Sequence, residues 1–397
     1  MSVENQIINP NHKLLIQNLS QMISIPSVNP FGIFDINKPA EEDMANFFEN
    51  CLLNLGLETK SHVVSDGRKN VWGVLKGKGI GPTILLAGHL DTVGVQGYKD
   101  PFLPRIEGDK IYGRGACDMK GGLAAILETI RNLIKIKIPL NGDVIVAGIV
   151  DEEDAMIGSK HFGQYGPKID FAIVAEPTDL IICPRHKGQI CFCVKTLGLA
   201  AHSSMPENGI NAIYHMTMAI QKLKELAEDL TQREIDPISG NPSLSVGVIR
   251  GGTHHSAVPD FCEIEIDRRI VFGESKESVM SEIIEIFEEL KNKIPDFNYE
   301  ISDPRLFVSP LKTSQQSPLI TSIEKATREV VSKASKIKTL PGSTDAPNFN
   351  CEAVIFGAGN LKQCHSLSEY INIDELIQAV KIYVKTVLSL QEAHPNS

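Results

Sequence analysis

The sequence predicts an α/β protein with a mainly parallel sheet that carries helices on both faces, plus an inserted ferredoxin-like domain. Three observations support this prediction. Buried-type strands alternate with amphipathic helices early in the chain, the middle follows the order β-α-β-β-α-β, and the first rhythm then resumes. The 397 residues suffice for two domains of ordinary size.

The first part of the chain begins with two helical patterns, because apolar residues recur three and four residues apart over Leu14–Ile25 and Ala40–Leu55. Strand patterns and a helix pattern follow. The strands are "NVWGVLKG", "PTILLAGHLDTV", "VIVAGIV" and "FAIVAEPT", and the helix "LAAILETIRNLIKI" lies between the second and third of them. The strand "VIVAGIV" has no polar alternation, which is typical of a parallel strand covered on both faces. This βαβ order predicts the main sheet.

The pattern changes at Gly188, where a strand, a helix, two strands, a helix and a strand follow one another. These segments are "QICFCVKTLG", "GINAIYHMTMAIQKLKELAEDL", "SLSVGVIRGG", "DFCEIEIDRRIV", "SKESVMSEIIEIFEELKNK" and "FNYEISD". We therefore predict a main domain formed by residues 1–187 and 304–397, with residues 188–303 inserted. Its second part contains a helix near Pro318–Ser335, the strand "EAVIFGAG" and a last helix over Asp374–Leu390.

Composition excludes several classes of function. The net charge of −10 and the absence of a basic cluster argue against a nucleic-acid partner. No segment approaches the ~18 apolar residues of a membrane span, and the N-terminus lacks the features of a signal peptide. Eight scattered cysteines without a CxxC pair suit reduced thiols. We expect a cytoplasmic protein with no membrane contact.

Imidazoles and carboxylates follow several of the predicted strands. His89 and Asp91 follow one strand, Glu152 and Glu153 the next, and Glu176 and His365 follow two others. The acidic run 151–154 alone is equally compatible with a solvated loop, but ligands bind at the carboxyl ends of parallel strands, and the recurrence favours a site. Asp151 and Asp154 we interpret as capping or solvated residues.

The loop "GRGACDMKGG" places Asp118 before a helix. A dinucleotide fingerprint would require its third glycine there, and a carboxylate at that position would repel a pyrophosphate. A carboxylate at a helix N-terminus stays ionised and can bridge cations. Histidine and carboxylate ligands without thiolate suit zinc, cobalt or manganese in a catalytic site.

Together these motifs resemble the dinuclear zinc amidohydrolases of the acetylornithine deacetylase and succinyl-diaminopimelate desuccinylase family, which includes aminoacylase and glutamate carboxypeptidase. The resemblance covers essentially the whole chain. It rests on six motifs in family order: "GHLDTV", "GRGACDMKGG", "DEE", "AEPT", "AHSSMPENGINA" and "FGAGNLKQCHSLSEY". It identifies residues 188–303 as a lid or dimerisation domain.

The resemblance implies a set of metal ligands. His89, Asp118 and Glu176 would hold one divalent ion, and Asp118, Glu153 and His365 the other. Two zinc ions are expected, with cobalt or manganese as alternatives. Asp91 would orient His89, and Glu152 would act as general base toward a metal-bridged hydroxide.

The same resemblance assigns further residues, in the inserted domain and after it. His202 would donate to the oxyanion in the partner subunit of a homodimer, and Arg269 would hold a substrate carboxylate, whereas Arg268 lies on the opposite strand face. Ser256 and Ser368 stand where the family usually has asparagine, so substrate contacts should differ. Ser343, Thr344 and Asp345 fall in a segment that resembles a substrate-contacting loop.

These features predict a metal-dependent hydrolase that cleaves the amide of a small N-acyl amino acid. A dipeptidase or carboxypeptidase of the same family is the alternative, and a non-catalytic relative that binds amino acids or peptides is a third. Cys117 and Cys364 adjoin two predicted ligands. They are either core thiols or reactive thiolates sensitive to oxidation.

Overall fold

The computed structural model describes residues 8–30, 41–233, 235–236, 238–331 and 336–392. Two compact units divide the chain. One unit comprises residues up to Arg185, Lys312–Leu340 and residues from Thr344 onward, and the inserted unit comprises His186–Leu311 with Pro341–Ser343. Within the described residues, no helix combines the length and apolar character needed to cross a bilayer.

The first part of the chain supplies most of the main sheet. Its elements are α1 (His12–Ser24), α2 (Glu42–Asn54), β1 (Glu58–Ser65), β2 (Arg68–Leu75), β3 (Ile84–His89), β4 (Arg105–Glu107), β5 (Lys110–Tyr112), α3 (Lys120–Ile136), β6 (Val144–Ile149), α4 (Ile157–Tyr165), β7 (Phe171–Val174) and β8 (Ile182–His186). The side chain of Asn11 caps α1 by accepting from the Leu14 amide. The predicted first residue of the second helix, Ala40, lies outside the described residues.

The middle of the chain has the predicted order of strands and helices. Its elements are β9 (Gly188–Leu197), β10 (Ala201–His202), α5 (Ala212–Leu230), β11 (Ser243–Gly251), β12 (Ala257–Val258), β13 (Phe261–Ile270), α6 (Lys276–Lys293), β14 (Asn298–Ile301), β15 (Leu306–Val308) and β16 (Leu311–Lys312). The antiparallel sheet order β11-β13-β9-β14 is that of a ferredoxin-like module. Because β15 also pairs with β9, the inserted unit extends past the predicted boundary at residue 303.

The last part of the chain completes the main unit. Its elements are α7 (Pro318–Val331), β17 (Ile337–Leu340), β18 (Glu352–Ile355), β19 (Tyr370–Asn372) and α8 (Ile373–Glu392), with short 3₁₀ turns at Pro206–Asn208, Ala346–Phe349 and Leu361–Gln363. The predicted helix near 318–335 therefore ends at Val331, and residues 332–335 lie outside the described residues.

The main sheet is parallel only at its centre. Its order is β1-β2-β6-β3-β7-β18-β8-β16, with β17 also paired to β8. Strands β6, β3, β7 and β18 are parallel, whereas β1 pairs antiparallel with β2, β2 with β6, and β8 with β18. The predicted α/β class is confirmed, and the parallel strands are the four at the centre of the sheet. At one edge, the two-residue connection of β1 to β2 makes that pair an antiparallel hairpin.

Helices cover both faces of this sheet, as predicted. Val71, Leu86 and Val146 pack in one core with residues of α1, α2, α3, α7 and α8. On the opposite face Trp72 contacts Phe162 of α4, with ring centroids 5.5 Å apart. Every residue of β3, β6 and β7 is buried, which explains why these strands show no polar alternation.

Candidate metal centre

The carboxyl ends of the four parallel strands bring the predicted ligands to one edge of the sheet. His89 is the last residue of β3 and pairs with Ile149 at the end of β6, so the acidic run after β6 starts beside it. Glu176 follows β7, and His365 follows β18 after a 3₁₀ turn. This is the edge at which open α/β sheets bind ligands.

Asp118 lies between two imidazoles. Its Oδ1 is 3.0 Å from His89 Nε2, and its Oδ2 is 3.3 Å from His365 Nε2. Glu176 Oε1 is 3.7 Å from His89 Nε2, and Glu153 Oε2 is 3.3 Å from His365 Nε2. The structure thus brings all five predicted ligands together in two groups that share Asp118.

The donor atoms of this cluster suit divalent cations. Ligand atoms of His89, Asp118 and Glu153 all lie within 4.8 Å of one another. Glu153 Oε1 and Glu176 Oε1 are buried, and the described residues offer neither of them a hydrogen-bond partner. Buried carboxylate oxygens without donors are costly, and a cation between them would remove that cost.

The raised pKa values of the two histidines also favour a cation in this cluster. Burial opposes protonation of His89, but Glu176, Asp118 and Asp91 outweigh it and raise its pKa well above the usual range. Asp118 and Glu153 raise the pKa of His365 to about 10. Protons on these imidazoles offset the negative charge of the surrounding carboxylates. A bound metal ion would offset the same charge in their place.

Asp91 orients both His89 and the turn that follows β6. The His89 Nδ1–H donates to the Asp91 backbone carbonyl over 3.0 Å, which leaves Nε2 free to act as a ligand. The Asp91 carboxylate accepts from the amides of Glu152 at 3.2 Å and Glu153 at 3.1 Å. Burial raises the pKa of Glu152 well above its usual range, with Glu176 and Glu153 adding to the effect.

Asp151 is not a solvated residue, so that part of its prediction was wrong. It is buried, and its Oδ1 accepts from Arg68 Nη2 at 2.7 Å and from Asn29 Nδ2 at 3.0 Å. Its Oδ2 accepts from the amides of Ala155 and Ile157, so it does cap the following turn. Arg68 also forms a bidentate pair with buried Glu41. No local sequence pattern indicates this network, because its members are distant in the chain.

The glycines of "GRGACDMKGG" allow close approach of backbone to backbone. Gly115 has φ +81°, a conformation that favours glycine. A Cβ on Gly122 would lie 2.3 Å from the Ala175 carbonyl oxygen, next to the ligand Glu176. The first turn of α3 therefore packs tightly against the end of β7.

In the inserted unit, His202 of β10 is opposite Ala257 of β12, and Ser256 directly precedes β12. His202 is exposed, and its Nδ1 accepts from the Ser204 amide over 3.1 Å. This acceptor role places the proton on Nε2, which is thereby available as a donor. The Ser256 backbone carbonyl accepts from the Ser203 amide.

The structure also brings Arg269 and Ser343 together. Arg269 Nη1 donates to Ser343 Oγ over 3.5 Å, and its Nε donates to Asp267 over 2.8 Å. Arg268 on the opposite strand face is fully buried and pairs with Glu274, which is a structural arrangement. Elsewhere, in the main unit, Thr344 is buried and its hydroxyl accepts from the Ala346 amide. Burial raises the pKa of its neighbour Asp345 to about 7.

The thiols of Cys117 and Cys364 both donate to the Asn360 carbonyl oxygen, over 3.4 and 3.9 Å. The Cys364 thiol lowers the pKa of Cys117, but burial and nearby carboxylates raise it more, so the net shift is upward. The Cys117 thiol and burial raise the pKa of Cys364. In the metal-free chain both groups therefore favour the neutral thiol, which supports the alternative of core thiols.

Comparison with known proteins gives consistent matches over most of the chain. The profile of peptidase family M20/M25/M40 matches residues 85–389. An acetylornithine deacetylase of Photorhabdus laumondii is 29% identical over 368 residues, which cover 90% of this chain and 92% of that protein. Two solved structures share the fold. A tripeptidase from Staphylococcus aureus has a TM-score of 0.79 at 20% identity and covers 96% of this chain and 99% of its own. The dinuclear metal-binding M20 peptidase YxeP of Bacillus subtilis has a TM-score of 0.72 at 16% identity, covering 96% and 99%.

Proposed function

Since the chain belongs to peptidase family M20/M25/M40 and is a metallohydrolase acting on amide bonds, we propose that it hydrolyses a small N-acylated amino acid in the manner of a deacetylase. The observation that supports a hydrolytic centre best is the Asp118 carboxylate between His89 and His365. The choice of substrate class rests on the acetylornithine deacetylases that match along 84–90% of the chain.

The cluster would hold two divalent cations, with zinc as our first choice. His89, Asp118 and Glu176 would bind one cation, and Asp118, Glu153 and His365 would bind the other. When bound, such cations supply Lewis acidity and lower the pKa of water. Glu153 Oε1 and Glu176 Oε1 accept no hydrogen bond from the described residues, which supports this assignment.

Glu152 is the proposed general base. It takes a proton from the attacking water as the water oxygen bonds to the amide carbon, and it gives that proton to the nitrogen as the C–N bond breaks. Its amide is fixed by Asp91, and its carboxylate makes no hydrogen bond or ion pair among the described residues. In the metal-free chain burial raises the pKa of Glu152, which favours holding the proton that Glu152 must return to the nitrogen.

The inserted unit, together with Thr344 of the main unit, supplies the remaining roles. His202 donates its Nε2–H to the developing oxyanion in the partner copy of a homodimer, and Arg269 holds the substrate carboxylate, with Ser256, Ser343 and Thr344 as further substrate contacts. The partially exposed Arg269 guanidinium supports its part of this assignment. The homodimer and the cytoplasmic location remain predictions.

A panel assay tests the substrate class. N-acetyl and N-succinyl amino acids are compared with dipeptides by measuring release of free amine, using chain loaded with Zn²⁺ or Co²⁺ and chain treated with a chelator. We expect turnover of acylated amino acids that disappears on chelation. Turnover confined to dipeptides would establish the peptidase alternative instead, and binding without turnover of either panel would indicate a non-catalytic relative.

A further inference from the structure

Glu369 lies four residues after the predicted ligand His365, and its carboxylate is fully buried. The Oε1 atom accepts from the amides of Cys117 at 2.8 Å and Asp118 at 3.0 Å. The Oε2 atom accepts from the Gly115 amide at 3.1 Å and from Arg114 Nη1 at 2.6 Å. Four donors of the glycine-rich loop thus converge on one carboxylate.

The backbone of Glu369 holds the same loop. Its carbonyl oxygen accepts from the Gly113 amide at 3.1 Å and from the Tyr98 hydroxyl at 3.3 Å. The Arg114 guanidinium lies over the Tyr98 ring, 5.2 Å from its centroid. These contacts join segments separated by about 250 residues, so they fix the loop of Asp118 against the segment of His365.

We propose that Glu369 is a positioning residue that fixes the Asp118 carboxylate relative to His365 and thereby sets the affinity of the centre for divalent cations. This inference rests on the proposed metal centre. Asp118 is the residue shared by both ligand groups, and Glu369 binds its amide directly. A shift of that amide moves the carboxylate between the two imidazoles, and partners behind a ligand tune its metal affinity in this way.

Glu369→Gln tests the proposal with little change in volume. The side-chain amide has one acceptor oxygen and an NH₂ group that only donates. Whichever way the amide is oriented, its NH₂ group faces donors that the carboxylate formerly accepted, either Arg114 and Gly115 or Cys117 and Asp118. Glu369→Asp keeps the charge opposite Arg114 but withdraws the carboxylate from the loop by one methylene.

Glu128→Gln is the matched control. Glu128 is also buried, accepts from the Asn11 amide at 2.6 Å and pairs with Arg131 at 3.2 Å. It lies within α3, and none of its hydrogen bonds goes to a ligand segment. This control therefore removes a comparable buried charge without disturbing the loop of Asp118.

Affinity for Zn²⁺ and Co²⁺ is measured by competition with a chelator, beginning with the wild type, and the visible absorption of the Co²⁺ form reports ligand geometry. We expect affinity about 10–100-fold weaker for Glu369→Gln, an intermediate loss for Glu369→Asp, and no change for Glu128→Gln. Wild-type affinity and an unchanged spectrum in both Glu369 variants would overturn the inference. If Glu369→Gln does not fold, Glu369→Asp decides alone. A wild type that takes up no metal would refute the proposed metal centre itself, and the inference with it.

Discussion

The different roles proposed for Glu152, proton transfer, and Glu153, metal binding, give the most direct test of the metal centre. These neighbours share the Asp91 anchor through their amides, but only Glu153 contacts a predicted ligand, with Oε2 at 3.3 Å from His365 Nε2. Substituting glutamine at each position removes one charge while keeping the amide anchors. Two adjacent variants of the same chemistry therefore separate proton transfer from metal binding.

Glu152→Gln should lower kcat by about 10²–10⁴, which corresponds to about 3–5 kcal/mol of barrier. Its metal content should remain that of the wild type, because the Glu152 side chain makes no hydrogen bond or ion pair with another described residue. Burial near Glu176 and Glu153 disfavours the charge of Glu152, so the metal-free variant should melt at the wild-type temperature or above it.

Glu153→Gln should behave in the opposite way. It removes the charge of a proposed metal ligand. Loss of a residue that hydrogen-bonds to a ligand typically weakens metal affinity about 10–100-fold, and we expect loss of the ligand charge itself to weaken it at least as much. Metal content by elemental analysis, chelator competition and kcat at saturating metal are measured on both variants. If Glu152→Gln loses metal while Glu153→Gln keeps it, the roles are reversed and the reasoning fails.

Three further outcomes follow from the geometry. Because two carboxylates raise the pKa of His365 to about 10, the imidazole is protonated near neutral pH in the metal-free chain. A cation must displace that proton, so metal affinity should fall as pH is lowered, and calorimetry in buffers of different ionisation enthalpy should detect proton release. Binding without proton release would contradict this. Asp91→Asn turns an NH₂ group toward the amide of Glu152 or Glu153, so kcat and metal affinity should each fall by about 10–100-fold, whereas unchanged kinetics would exclude the anchoring role. Mixing His202→Ala and Glu152→Gln chains should restore about a quarter of wild-type activity, since half the dimers are mixed and each holds one complete site. Activity that stays at the level of the parents, after subunit exchange is shown by mass spectrometry, would exclude action across the interface.

The sequence by itself determined the features that depend on local pattern. Three unbroken apolar strands located the edge of the sheet that carries the ligands. One strand ends in His89, one is followed by Glu176 and one by the acidic run. Parallel strands in register have their carboxyl ends at the same edge. The alternation of β13 separated buried Arg268 from accessible Arg269, since side chains on a strand alternate between faces.

Tertiary structure alone decided the contacts between distant segments. Asp151 pairs with Arg68 across 83 residues, and Glu369 reaches the Asp118 amide across 251 residues. Hydrogen bonds act over about 3 Å, so their partners depend on how the chain brings segments together and leave no periodicity in the sequence. A carboxylate in an acidic run looks the same whether it holds metal, moves a proton or binds a buried arginine. Only the groups placed opposite it by the fold distinguish these roles.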